Sequence, residues 1–138
     1  MERLIQKIGR INEYMKIIDT IKDECDEKFD KDPVYRGAML HYLYLLTDTC
    51  IALAGMVIKK KNLRIPQSYA EAFDILGESG VLDADFAYSF AKIAGFRNFL
   101  AHDYETIDSG VICTKVLASL TDIRKYIRQI QKSCDLKC

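Results

Sequence analysis

Proline occurs twice and glycine seven times in 138 residues. So little punctuation argues against a many-turned sandwich or barrel and for few, long elements. Neither sign of charge is in excess, with 20 Lys and Arg facing 20 Asp and Glu. That balance argues against a strongly basic, whole-molecule nucleic-acid binder, though not against a local basic patch. The five cysteines, Cys25, Cys50, Cys113, Cys134 and Cys138, contain no Cys-x-x-Cys pair. With no signal-peptide pattern at the N-terminus, they read as buried or inert thiols of a reduced, cytoplasmic protein. Cys134 and Cys138 are four apart and share a helix face, but a disulfide or metal role there is the less favoured reading. No Gly-rich phosphate loop, zinc-ligand spacing or Ser/His/Asp order is present. Strand-like alternation, internal repeats and low-complexity segments are also missing.

What remains is 49% hydrophobic residues, enough for one domain over residues 1–138 with a sizeable core. The apolar spacing predicts five helices packed as an antiparallel all-α bundle. The first covers 2–28, with Leu4, Ile8, Ile11, Met15, Ile18, Cys25 and Phe29 alternating four and three and Lys22 as the single miss. Pro33 opens the second, 33–61, which ends in three lysines suited to a helix C-terminus. Ser68 with Glu71 forms a capping box for a third over 68–76, closed by Gly77 and Gly80. Asp83 or its neighbour caps a fourth over 84–104, and Asp108 or Ser109 a fifth reaching Ser133. Residues 38–58 are apolar enough to resemble a membrane span. His41, Thr47, Asp48 and Thr49 interrupt them, so a central, nearly fully buried helix is the better reading.

Local charge is less even. Residues 111–138 hold six cations against Asp122 and Asp135, with Arg124, Arg128 and Lys132 on one side of the fifth helix. Lys59, Lys60, Lys61 and Arg64 form a second basic cluster. Both are in reach of a phosphate backbone. The favoured reading is a solvated outer face.

The informative segment is Phe96-Arg97-Asn98-Phe99-Leu100-Ala101-His102-Asp103-Tyr104. The seam Phe86, Phe90, Ile93 calls next for apolar residues at 97, 100 and 104, and two of these are Arg97 and Tyr104. A buried, unpaired guanidinium is costly, so either a carboxylate meets Arg97 or the seam opens into a polar cleft. Asp48, mid-helix in the apolar second element, is a candidate partner for it. Asn98 and His102, four apart, share a face, and His102 lies where a helix C-terminus favours a cation. Histidine moves protons, and arginine clamps phosphate bidentately. Together they suit cleavage of RNA by attack of a ribose 2′-hydroxyl on the adjacent phosphate. An incidental Arg, Asn and His at a surface helix end is the plain alternative. Arg97 and His102 point about 140° apart on one ideal helix, so a single helix does not aim both at one phosphate; two copies meeting across a twofold axis could bring them together. The other histidine, His41, reads as a core or interface residue. Tyr14, Tyr35, Tyr69, Tyr88 and Tyr126 read as packing residues.

The segment resembles the Arg-x4-His-x-Tyr signature of HEPN-domain proteins, in the HepT-like minimal toxin family. Arg97, His102 and Tyr104 fall on its three positions, and Asn98 matches the polar residue after the arginine. The similarity extends to the lysine-rich end of the second helix, to the run from Leu63 to Tyr69, to Phe73 with Leu76, and to Ile107 with Asp108. The resemblance implies a homodimeric helical bundle whose signature helices line one cleft. It implies a metal-independent ribonuclease toxin with no cofactor. Arg97 and His102 would be its catalytic pair, and Asn98 would orient His102 or contact RNA. It further implies a cognate nucleotidyltransferase antitoxin that silences the toxin by modifying Tyr104 with AMP, an added anion that would repel an RNA backbone. The competing function is a non-catalytic partner or nucleotide-binding module for such a nucleotidyltransferase.

Overall fold

The computed structural model describes residues 2–136, apart from the side chain of Tyr104. The element order is α1 (Glu2–Ile21), α2 (Cys25–Lys28), α3 (Pro33–Lys60), α4 (Tyr69–Glu78), α5 (Ala84–Phe90), α6 (Lys92–His102) and α7 (Leu120–Ser133). A π-helical stretch, Val111–Val116, leads into α7. All-α architecture is thereby established, and no strand occurs among the described residues.

Side-chain caps explain where several helices begin. The Asp32 carboxylate accepts the N–H groups of Val34 and Tyr35, so α3 starts at Pro33, whose missing N–H costs nothing there. Ser68 Oγ accepts from the Glu71 N–H, and the Glu71 carboxylate reaches back to the Gln67 N–H. Asp83 accepts from the Phe86 N–H at the start of α5. Gly77 lies inside α4, which continues to Glu78, because a Cβ there would sit 2.8 Å from the Ala87 Cβ of α5. Gly80, at φ 81°, makes the turn after it.

Three expected helices are interrupted. The first gives way to a 3₁₀ turn at Lys22–Glu24, the one place its apolar spacing fails, and the Tyr35 hydroxyl donates to the freed Ile21 carbonyl. The fourth breaks at Ala91 and ends at His102, because the Asp103 carbonyl turns the chain by accepting from the Thr106 N–H and hydroxyl. The fifth carries the π-helical stretch.

α3 is the central element, packed by α1, α4 and α6. It is long and apolar enough to cross a membrane, and half of its most apolar window is buried. The expectation of near-complete burial is therefore corrected. Val34, His41, Ala52 and Gly55 stay exposed along one side, with Asp48 half-buried among them. α7 closes the core through Tyr126, which is fully buried, packs edge-on to Phe73 and tilted against Phe90, and donates to the Cys50 carbonyl at 2.8 Å. Each such side chain removed from water contributes about 1.5–3 kcal/mol.

The thiols behave differently from the expectation. Cys25 and Cys113 are joined as a disulfide, their Cα atoms 5.6 Å apart across a sequence separation of 88, which local spacing cannot reveal. Cys50 and Cys134 are free and buried, as expected, and Cys138 lies outside the described residues.

Candidate active site

α6 is built to hold Arg97 at a boundary. Ile93, Ala94 and Leu100 bury one side of the helix against the core, whereas Gly95, Asn98, Ala101 and His102 face outward. Arg97 falls between, with a fifth of its side chain exposed. The polar exception in the apolar seam is met from α3. Arg97 Nε donates to Asp48 Oδ1 at 3.0 Å, and Nη2 donates to the Tyr44 hydroxyl at 2.9 Å. Nη1 donates to Asn98 Oδ1 at 3.2 Å. The guanidinium carbon also lies 5.2 Å from the Tyr44 ring centre and 5.4 Å from that of Tyr69, within cation–π range of both. The hydrogen bond to Asp48 raises the Arg97 pKa against the opposing effect of desolvation.

A guanidinium has five N–H groups. Three are used among the described residues, which leaves one on each terminal nitrogen. The arrangement is a fixed cation with two free donors, the form in which arginine receives a phosphate or carboxylate.

His102 is different. It is the last residue of α6, it is exposed, and it makes no hydrogen bond or ion pair among the described residues. Five positions beyond Arg97 on the same helix, it projects roughly 140° away. The structure thus brings Arg97 and Asn98 together; His102, one turn beyond Asn98 on the same face, bonds to neither among the described residues. Tyr104 opens the 3₁₀ turn Tyr104–Thr106. Its backbone is therefore off α6, which corrects the expectation that it shares a helix face with Arg97, and its side chain lies outside the described residues. Arg36 of α3 fastens this turn, donating to the Glu105 and Ile107 carbonyls at 3.4 and 3.1 Å.

Other expectations need correction. His41 is exposed beside Tyr42, which removes the core half of the core-or-interface reading. Tyr69 is 47% exposed and Tyr88 is 80% exposed, so neither is a packing residue. Among the cations, Arg64 is engaged by Glu71 and Glu78, Arg124 by Asp19, and Lys61 donates to the Ser133 carbonyl. Neither basic cluster is an uninterrupted phosphate track. Tyr44 and Arg36 carry roles the sequence did not assign, and Tyr69, expected to pack, flanks Arg97 instead. The one signal for Tyr44 is its place one turn before Asp48 on the same face of α3. Among the described residues, no three His, Cys, Asp or Glu side chains converge as metal ligands.

Comparison with known proteins places the chain in a family. The family model described as "Ribonuclease HepT-like" matches residues 8–130. The chain is 24% identical over 128 residues to the mRNA nuclease HepT of Shewanella oneidensis, covering 93% of this chain and 96% of the relative. It is 28% identical over 133 residues to the tRNA nuclease HepT of Aphanizomenon flos-aquae, covering 94% and 86%. The structure of a tri-AMPylated Shewanella oneidensis HEPN toxin in complex with MNT antitoxin shares its fold, with a TM-score of 0.83, 24% identity, and 94% and 96% of the two chains covered. With nearly its whole length matched, the chain belongs to the HepT-like ribonuclease family.

Proposed function

We propose that this protein is a ribonuclease toxin that cleaves RNA without a metal ion, as a homodimer, with Arg97 and His102 as its catalytic pair. A cognate nucleotidyltransferase antitoxin silences it by transferring AMP to Tyr104. The relatives described as mRNA and tRNA nucleases support the reaction class, and the AMPylated relative bound to its antitoxin supports the partner. The observation that carries the reading is the Arg97 guanidinium, held by Asp48, Tyr44 and Asn98 with one N–H free on each terminal nitrogen.

The scissile phosphate sits on those two donors. The imidazole of His102 from the second protomer takes the proton of the ribose 2′-hydroxyl as O2′ bonds to phosphorus. The P–O5′ bond breaks, and a proton returns to O5′, giving a 2′,3′-cyclic phosphate and a 5′-hydroxyl end. Charge accumulates on the phosphoryl oxygens in the transition state, where a cation that needs no reorganisation has its largest effect. Asn98 helps to hold Arg97 and contacts RNA. Cytoplasmic residence follows from the substrate and the antitoxin. The Cys25–Cys113 bond is the feature that runs against it, because cytosolic thiols are kept reduced.

Purified protein incubated with total RNA in chelator tests the reading. Wild type cleaves and His102→Ala does not; equal cleavage by the variant overturns the assignment. If neither cleaves and the nucleotidyltransferase binds tightly, the protein is a non-catalytic partner module. For the modification, Tyr104→Phe remains active and escapes the antitoxin, and normal silencing of that variant removes Tyr104 from the account.

A further inference from the structure

We propose that the groove between α3, α4 and α6 holds a nucleobase of the RNA whose phosphate rests on Arg97, an inference that depends on the ribonuclease reading above. The groove has a volume of about 780 Å³, and its walls include Ile51, Gly55, Gln67, Tyr69, Gly95 and Asn98. That size lies within the range of about 300–1,000 Å³ common to ligand sites.

Two of its walls belong also to the Arg97 site. The Asn98 carbonyl oxygen accepts from Arg97, and the Tyr69 ring stands 5.4 Å from the guanidinium. The groove therefore begins where the phosphate clamp ends. No charged residue lines it, so it suits a neutral ring rather than a second phosphate. Tyr69 offers a half-exposed aromatic ring, and single-stranded RNA is gripped by stacking unpaired bases on such rings. Polar readout is also available. With its oxygen turned to Arg97, the Asn98 amide keeps its NH₂ group for an acceptor on the base. The Gln67 side-chain amide, uncommitted among the described residues, supplies both a donor and an acceptor. The phosphate site gives affinity without sequence, and this groove supplies preference for the base beside the cut.

Gly55 provides the test, because a Cβ placed there meets nothing within 4 Å. Gly55→Leu puts a bulky side chain on the groove wall at a position whose Cβ meets no neighbour. The substrates are an RNA oligonucleotide cut by the protein and the same oligonucleotide made abasic, one position at a time, beside the scissile linkage. Base removal at one position lowers wild-type kcat/KM about tenfold, mainly through KM, and Gly55→Leu lowers it to a similar degree on intact RNA. The two penalties do not add, because both empty the same site. Additive penalties, or full activity of Gly55→Leu on intact RNA, overturn the proposal. Sedimentation of Gly55→Leu is run alongside; loss of the dimer assigns the groove to the subunit contact and also overturns it. If wild type cuts no RNA, the ribonuclease reading fails separately, and affinity for a 2′-O-methyl oligonucleotide then decides the groove. Weaker binding by Gly55→Leu retains it, and equal binding removes it.

Discussion

Arg97 and His102 stand on the same helix in opposite surroundings. Arg97 is four-fifths covered, with three hydrogen bonds and two aromatic rings around it. His102 is exposed at the helix end with no partner among the described residues. The difference matches their chemistry. A phosphate clamp works best when its dipoles are already fixed, so the protein invests α3 in holding it. A proton carrier must exchange protons, and a catalytic imidazole completed by a second protomer has no need of a partner within its own. On the reading proposed above, Arg97 is the finished half of a site and His102 the half offered to another subunit.

Several substitutions sharpen or break this contrast. His102→Ala lowers cleavage about 10²–10⁴-fold and shifts stability by less than about 0.5 kcal/mol, as expected of an exposed side chain that moves protons. A large loss in unfolding free energy would show that the histidine is structural. Arg97→Lys retains the charge but cannot keep three fixed bonds and two free donors. Its cleavage rate falls about 10²-fold, and near-wild-type rates would mean that charge alone suffices. Arg97→Ala, unlike His102→Ala, also costs about 1 kcal/mol in urea unfolding, because Asp48 and Tyr44 lose their partner. Reducing the Cys25–Cys113 bond destabilises the fold by about 2–4 kcal/mol, and a thermal midpoint unmoved by reductant would mean that the two sulfurs are not joined in solution. Asp48→Asn, which keeps the shape but not the charge, slows cleavage about tenfold through looser positioning of Arg97, read as a fall in kcat greater than the rise in KM.

The smallest effect concerns alkaline pH. Burial raises the pKa of both the Cys50 thiol and the Tyr126 hydroxyl above their ordinary values of 9.0 and 10.0. Folding therefore holds their protons. This contribution to stability is complete below about pH 9 and is lost as pH rises, because the unfolded chain releases the protons first. Tyr126→Phe flattens that fall while costing about 1 kcal/mol at neutral pH for the lost bond to the Cys50 carbonyl. An unchanged alkaline limb would contradict the assignment.

The helix starts at Pro33, Tyr69 and Ala84 were legible in the sequence because each cap acts within three residues of the helix it begins. The breaks at Lys22 and Ala91 and the turn after His102 were not, since each is settled by where the chain goes next. Tyr35, for example, meets the Ile21 carbonyl from fourteen residues away. At the site, a charge in an apolar seam demanded a partner, and Asp48, one candidate the sequence offered, meets it across 49 residues. Tyr44 and Tyr69 carried no such signal, because an aromatic that will flank a cation has the same spacing as one that will pack. The Cys25–Cys113 bond left no trace in local spacing for the same reason.

Mixing two inactive proteins asks whether one site draws on both protomers. Arg97→Ala and His102→Ala are purified separately, dissociated, reassociated together and assayed on RNA. If Arg97 of one protomer works with His102 of the other, each mixed dimer regains one intact site. Random reassociation then restores about a quarter of wild-type cleavage. No recovery, in mixtures shown by mass to contain the mixed dimer, would contradict the account.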